Sequence, residues 1–183
     1  GSEMCIRDRL GARLPDWIWW NTDGPPRRHQ TVKDIVEEDV PFDKDDVLKL
    51  VPERHKEKLD AHETIYATGY RRTRHGEQQL ELRCDGIAGC LRTPEGGSSK
   101  QYLVVKKGRS THARLLTVRE AARLMGAPDT FKLPGSYNDG YKAMGDAVAM
   151  PVAQFIGERF LTKIAEAVYN DSVSYTHLTL PTT

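Results

Sequence analysis

Three groups of side chains in this sequence have types and spacing that could do chemistry: the thiols of Cys5, Cys84 and Cys90, an arginine run in "GYRRTR", and a Gly-rich loop, "LRTPEGGSSK". A cysteine attacks as its thiolate, so it needs a neighbouring base or a lowered pKa. Around Cys84 and Cys90 the sequence offers only arginines, and structural or surface-contact roles fit them better. A zinc site built from Cys84, Cys90, His75 and His112 would have spacings that match no usual ligand pattern. Three irregularly spaced cysteines do not make a disulfide scaffold either. The loop is different in kind. Arg92, Thr93, Ser98, Ser99 and Lys100 set cations and hydroxyls beside backbone amides, a combination that grips phosphate; a plain surface hairpin loop is the alternative. In the run, Arg71, Arg72 and Arg74 could hold phosphates or read guanine edges, and residue type leaves both open.

Charge along the chain points the same way. The net charge of +1 hides an acidic stretch, 31–63, with eleven Asp and Glu against six Lys and Arg. Residues 69–114 reverse this, with ten Lys and Arg against four acids. Phosphate attracts such a stretch whatever the base sequence, although an ordinary solvated face would read alike. With 183 residues and 38% hydrophobic content, the chain can bury one core, or one domain and a small appendage. No run approaches the roughly 18–20 apolar residues of a membrane helix, and the start has no apolar signal-peptide core. The expectation is a cytoplasmic protein with no membrane partner.

The elements that must position these groups follow from local pattern. "LPDWIWWNTDGPPRRHQ" reads as irregular, with Trp17, Ile18, Trp19 and Trp20 as apolar anchors. "TVKDIVEED" and "PERHKEKLDAHE" read as short helices, Pro52 suiting a first turn. From Thr64 to Leu116, short segments such as "LELRC" and "QYLVVKK" alternate with "RHGEQQ", "DGIAG" and "TPEGGSSK", which predicts a small, twisted, loop-rich β region. In "LLTVREAARLMGAPDTF", Thr117 and Glu120 make a capping box, and Arg119 and Glu120 suit a helix-surface ion pair. Gly126 then supplies a left-handed stop and Pro128 prevents continuation. A second helix is expected from about Val148, with apolar residues every four positions through Val152, Ile156, Phe160, Ile164 and Val168. Such a face must pack on something.

Two of these stretches carry a family resemblance. "RLLTVREAARLMGAPDTFKLP" followed by "GYKAMGDAVAMPV" resembles the ninth and tenth sequence motifs of DNA cytosine-5 methyltransferases, in the same order and at similar spacing. "RCDGIAGCLRTPEGGSSKQYLVV" is similar to the end of the target recognition domain of that family. The resemblance implies an α+β fragment: a small loop-rich β recognition region followed by C-terminal helices that, in the full enzyme, pack on a Rossmann-like S-adenosylmethionine-dependent domain. By this reading residues 10–63 lead into the recognition domain, 64–113 form its β region, and 114–171 return to the catalytic domain.

The family's reaction, as the resemblance implies it, is nucleophilic attack by a cysteine on a cytosine flipped out of double-stranded DNA, then methyl transfer from S-adenosylmethionine to carbon 5. No Pro-Cys dipeptide, Glu-Asn-Val strand or G-x-G-x-x-G occurs here, so the chain is expected to be inactive without a catalytic domain N-terminal to it. Its share would be DNA contact, through Arg71, Arg72, Arg74, Cys90, Arg92, Thr93, Ser98, Ser99 and Lys100, and one wall of the cofactor pocket, through Asp146, Ala147 and Val148. Three departures stand out: Ala127 replaces the family's usual aromatic residue, Asp146 its Asn, and Cys90 a Thr near the DNA backbone. The rival readings are a free-standing DNA-binding module without catalysis and a structural domain, the latter disfavoured by the two motifs.

The termini read differently from the rest. Back-translated, "EMCIRDR" and "SVSYTHL" admit AGATGTGTATAAGAGACAG and CTGTCTCTTATACACATCT, which are reverse complements and resemble a transposon end used in sequencing libraries. Residues 1–9 and 172–183 are therefore expected to be non-native, and the remainder a piece of a longer enzyme.

Overall fold

The structure, a computed structural model, describes residues 24–27, 29–93, 100–133 and 135–176, the last seven of these by their backbone. The tryptophan-rich anchors Trp17, Trp19 and Trp20, the loop serines Ser98 and Ser99, and residues 1–9 and 177–183 lie outside it.

The molecule is α+β. Four antiparallel strands, β1 (Thr64–Arg74), β2 (Glu77–Arg83), β3 (Gln101–Lys107) and β4 (Ser110–Leu115), form one sheet in the order β2-β1-β3-β4. β1 and β2 close through His75 and Gly76, both at positive φ (50° and 84°). Two consecutive left-handed residues match the turn that suits the right-handed twist of paired strands. The fourth strand ends at Leu115, within the β pattern read from Thr64 to Leu116.

Strand residues alternate between two faces, and each face has its own core. On one, Tyr66, Leu103 and Val105 pack with Leu116 against α1 (Val32–Ile35), α3 (Val118–Leu124) and α4 (Tyr137–Asp146). On the other, Ile65, Ala67, Leu80, Leu82 and Val104 pack against a 3-10 turn (Asp45–Leu50) and α2 (Glu53–Asp60). The sheet is thus covered on both sides, with β2 at one edge. There the exposed ladder is blunted, because the Leu82 N–H donates to His55 Nδ1 at 3.2 Å. A neutral imidazole is needed for that role, and burial pushes the His55 pKa below its ordinary 6.5. As pH falls below about 6.5 the unfolded chain binds the proton first, so stability declines until the folded imidazole protonates too. His55→Gln, which keeps a side-chain acceptor, is expected to flatten the loss of stability between about pH 6.5 and 5 in urea titrations. Equal pH slopes for the two proteins would refute this.

α3 starts as its sequence predicts: the Thr117 hydroxyl accepts from the Glu120 N–H at 3.0 Å, and the Glu120 carboxylate accepts from the Thr117 N–H at 2.8 Å. The expected Arg119–Glu120 surface pair is replaced. Glu120 is fully buried and binds Arg114 through two hydrogen bonds of 2.7 and 2.6 Å, while Arg119 donates to the carbonyls of Pro128 and Phe131. A β4 arginine on the helix-facing side of the sheet reaches the carboxylate more directly than a neighbour along the helix can. Glu120 also accepts from the Glu37 N–H at 2.9 Å, so one side chain joins β4, α3 and the segment after α1.

α4 has no counterpart in the sequence-based expectations. Gly140 and Gly145 lower its helix propensity, yet both are required by packing. A Cβ on Gly140 would lie 2.5 Å from Val118 Cγ1, so α4 packs on α3 too closely there for a side chain. Ser136 caps it, accepting from the Asp139 N–H at 3.1 Å.

The C-terminal apolar series lies on α5 (Met150–Ile156), a π segment (Gly157–Leu161) and α6 (Thr162–Thr176). A strict four-residue spacing outruns the 3.6-residue turn, and the wider π turn takes up the excess. Val148, Val152, Ile156, Leu161, Ile164 and Val168 are all exposed. No helix among the described residues is long and apolar enough to cross a membrane.

Candidate nucleic-acid interface

β1 carries the arginine run past the end of the core. Tyr70, Arg72 and Arg74 share the face of Tyr66 and Thr68, while Arg71 and Thr73 point the other way. Directly across from Tyr70 in the register stands Glu81 of β2. Arg74 Nε donates to Glu81 Oε1 at 2.7 Å, Arg72 Nε lies 3.4 Å from Oε2, and Arg54 of α2 is 4.0 Å from Oε1. The Arg74 hydrogen bond, supported by the charges of Arg74, Arg72 and Arg54, holds the Glu81 carboxyl below the usual range. One carboxylate thereby fixes guanidinium groups from two elements without neutralising them all.

Arg92 enters the same place from the loop after β2. With Arg54, Arg72, Arg74, Tyr70 and Glu81 it lines an open groove of about 430 Å³. It also borders an adjoining hollow with Arg71, Thr73 and Gln78, where Arg71 Nε is buried without a hydrogen-bond partner. Arg92 thereby joins the arginine run, about twenty residues earlier in sequence, in one concavity, which raises the local positive potential above that of the run alone.

The loop is held by a buried polar network. Gln101 is fully buried at the start of β3. Its backbone N–H donates to the Tyr141 hydroxyl at 2.9 Å, and its side-chain Nε2 donates to Tyr70 Oη at 2.5 Å and to the Gly89 carbonyl at 2.6 Å. The Tyr70 hydroxyl in turn donates to the Cys90 carbonyl. Burial pushes the Tyr70 and Tyr141 phenols above their ordinary value, so both stay protonated, Tyr70 as donor to Cys90 and Tyr141 as acceptor from Gln101. Gly89 has no room for a side chain: a Cβ would sit 2.8 Å from the Tyr70 ring.

The remaining expected residues divide. Cys90 is exposed beside the groove, its Sγ 3.4 Å from the Leu91 carbonyl. Cys84 is half-buried, and burial pushes its thiol pKa up, away from thiolate character. Lys100 turns away from the groove: Nζ donates to Asn138 Oδ1 at 2.7 Å and lies 4.6 Å over the Tyr137 ring. Asp146 ends α4 and accepts from the Thr93 hydroxyl. Ala147 and Val148 follow it, both exposed.

Tyr70, Glu81, Gln101 and Arg54 escaped the sequence reading. Gln101 left a trace there, a polar residue in phase with Leu103 and Val105, which marks a buried network rather than an apolar contact. Arg54 left none, since α2 and β2 are brought together only by the fold. Among the described residues no group of three His, Cys, Asp or Glu could hold a metal ion.

The family model for C-5 cytosine-specific DNA methylase matches residues 20–162. The type II methyltransferase M.SsoII of Shigella sonnei is 38% identical over 64 residues, 35% of this chain and 16% of that protein. M.HpaII of Haemophilus parainfluenzae, also a type II methyltransferase, is 43% identical over 51 residues, 28% of this chain and 14% of its own length. The DNA (cytosine-5)-methyltransferase CMT2 of Oryza sativa subsp. japonica is 50% identical over 44 residues, 24% of this chain and 3% of that protein. The matches therefore span a small part of each relative.

Proposed function

The chain belongs to the C-5 cytosine-specific DNA methylase family, and from that premise we propose that it is the C-terminal part of a DNA cytosine-5 methyltransferase. In this reading it grips double-stranded DNA beside a flipped cytosine and supplies one wall of the pocket for S-adenosylmethionine. The observation that carries it is the convergence of Arg72, Arg74 and Arg92 on one groove, in a chain whose family acts on DNA.

Roles divide by chemistry. Arg72 and Arg92 are exposed and take phosphates or guanine edges, whereas Arg74 is bound to Glu81 and shapes the groove. S-adenosylmethionine would supply the methyl group when bound to the complete enzyme. Asp146, Ala147 and Val148 fit one side of its site: they are exposed at the end of α4 and in the short connection to α5, and Val148, 69% exposed, offers apolar surface. The apolar face from Val152 to Val168 would pack on a Rossmann-like catalytic domain, because a surface of that extent left in water favours association.

Duplex binding by this chain, followed by fluorescence anisotropy from low to moderate salt, tests the reading. Affinity should fall steeply with salt, and Arg72→Ala and Arg92→Ala should each lower the salt slope by about one unit. No methyl group should pass from labelled S-adenosylmethionine to the DNA with this chain alone. Absent or salt-insensitive binding would overturn the proposal.

A further inference from the structure

The segment bearing Arg92 is tied down on both sides. Upstream, Gln101 and Tyr70 hold the carbonyls of Gly89 and Cys90 against the sheet. Downstream, the Thr93 hydroxyl donates to the Asp146 carboxylate at the end of α4. The two elements also touch through their backbones. A Cβ on Gly145 would lie 2.6 Å from the carbonyl carbon of Arg92 and from the nitrogen of Thr93, so α4 and the loop meet with no side chain between them. α4 itself is anchored by Tyr141, fully buried, and Met144. Its end is therefore a rigid support, and only Leu91 and Arg92 lie between the two ties.

We propose that Asp146 is a positioning residue for DNA: through Thr93 it fixes the chain just after Arg92, so that Arg92 stands in the groove beside Arg72 before DNA arrives. The proposal rests on the DNA reading of that groove. Its physical basis is preorganisation, because a loop already ordered in its bound form loses less conformational freedom on binding. The carboxylate is a costly choice next to phosphate, since a like charge opposes binding. An acceptor was needed there for the Thr93 hydroxyl, and an amide would serve as well.

That contrast sets the test. Asp146→Ala removes the acceptor and the charge, whereas Asp146→Asn removes only the charge. Asp146→Ala should weaken duplex binding about fivefold to tenfold, while Asp146→Asn should bind at least as tightly as the parent chain. Thr93→Val should reproduce the alanine effect, and the double variant should lose no more than either single one. Backbone order parameters measured by NMR without DNA give the independent readout: those of Leu91–Thr93 should fall in Asp146→Ala and keep the parent value in Asp146→Asn, with β1 and β3 unchanged. Tighter binding in both Asp146 variants would show that the carboxylate acts only as a like charge, and unchanged order parameters at Leu91–Thr93 in Asp146→Ala would refute the tie. Should the parent chain bind no duplex, the DNA reading falls by itself, and the order parameters still decide whether Asp146 positions this segment.

Discussion

Replacing Glu120 with alanine is expected to lower folding stability by about 3–5 kcal/mol, the loss typical when one partner of a buried ion pair is removed. The side chains of Arg114 and Glu120 are 2% and 0% exposed, so water cannot take over from the missing carboxylate. Arg114 would keep its bonds to the Leu115 and Glu37 carbonyls, both at 3.1 Å, and its place 5.3 Å from the Phe42 ring centre. Its charge would have no counter-ion there. The Glu37 and Thr117 N–H groups would lose their acceptor at the same time. Since Arg114 Nε already lacks a partner, the pair is imperfectly satisfied, and replacing both residues by Met and Leu should recover part of the loss. Urea unfolding monitored by circular dichroism measures this: the midpoint should fall with the slope unchanged. A loss below about 1 kcal/mol for Glu120→Ala would mean that the pair does not hold the layers together.

Gly126→Ala should rank second, at roughly 2–4 kcal/mol, because two costs fall on one methyl group. Gly126 has φ of 81°, a left-handed conformation that an L side chain resists. An added Cβ would also lie 2.7 Å from Pro151 Cγ. Moving Pro151 strains the hydrogen bond from the Met150 N–H to the Met125 carbonyl, 2.8 Å long, which joins the end of α3 to the start of α5. Asparagine separates the two costs, as it tolerates the left-handed region but keeps a Cβ. If Gly126→Asn melts with Gly126→Ala, contact with Pro151 dominates; if it melts near the parent chain, backbone conformation does. A parent-like melting temperature for the alanine variant would refute both.

How far each element was legible depended on the range of the interactions that form it. The capping box of Thr117 and Glu120 spans three residues, and the structure has it as written in the sequence. The Gly126 stop and the helices at Val32–Ile35 and Glu53–Asp60 are equally local. α4 was hidden because its glycines argue against a helix by propensity. They are explained only by the closeness of Val118 and of the Arg92–Thr93 backbone, contacts between segments distant in the chain. The Arg114–Glu120 pair was hidden for a related reason: the sequence supplies Arg119 as an adjacent cation, and only the pleat of β4 shows which arginine faces inward.

By itself the sequence determined the family, through two long motifs whose residues are fixed by order and spacing, and it determined which cations are available. The tertiary structure decided which of them act together. It brought Arg92 to Arg72 and Arg74 around Glu81 and turned Lys100 towards Tyr137 and Asn138. It also set Asp146 against Thr93. The reason is physical. A motif records local chemistry, whereas the potential of a groove depends on distances between charges that chain order does not contain.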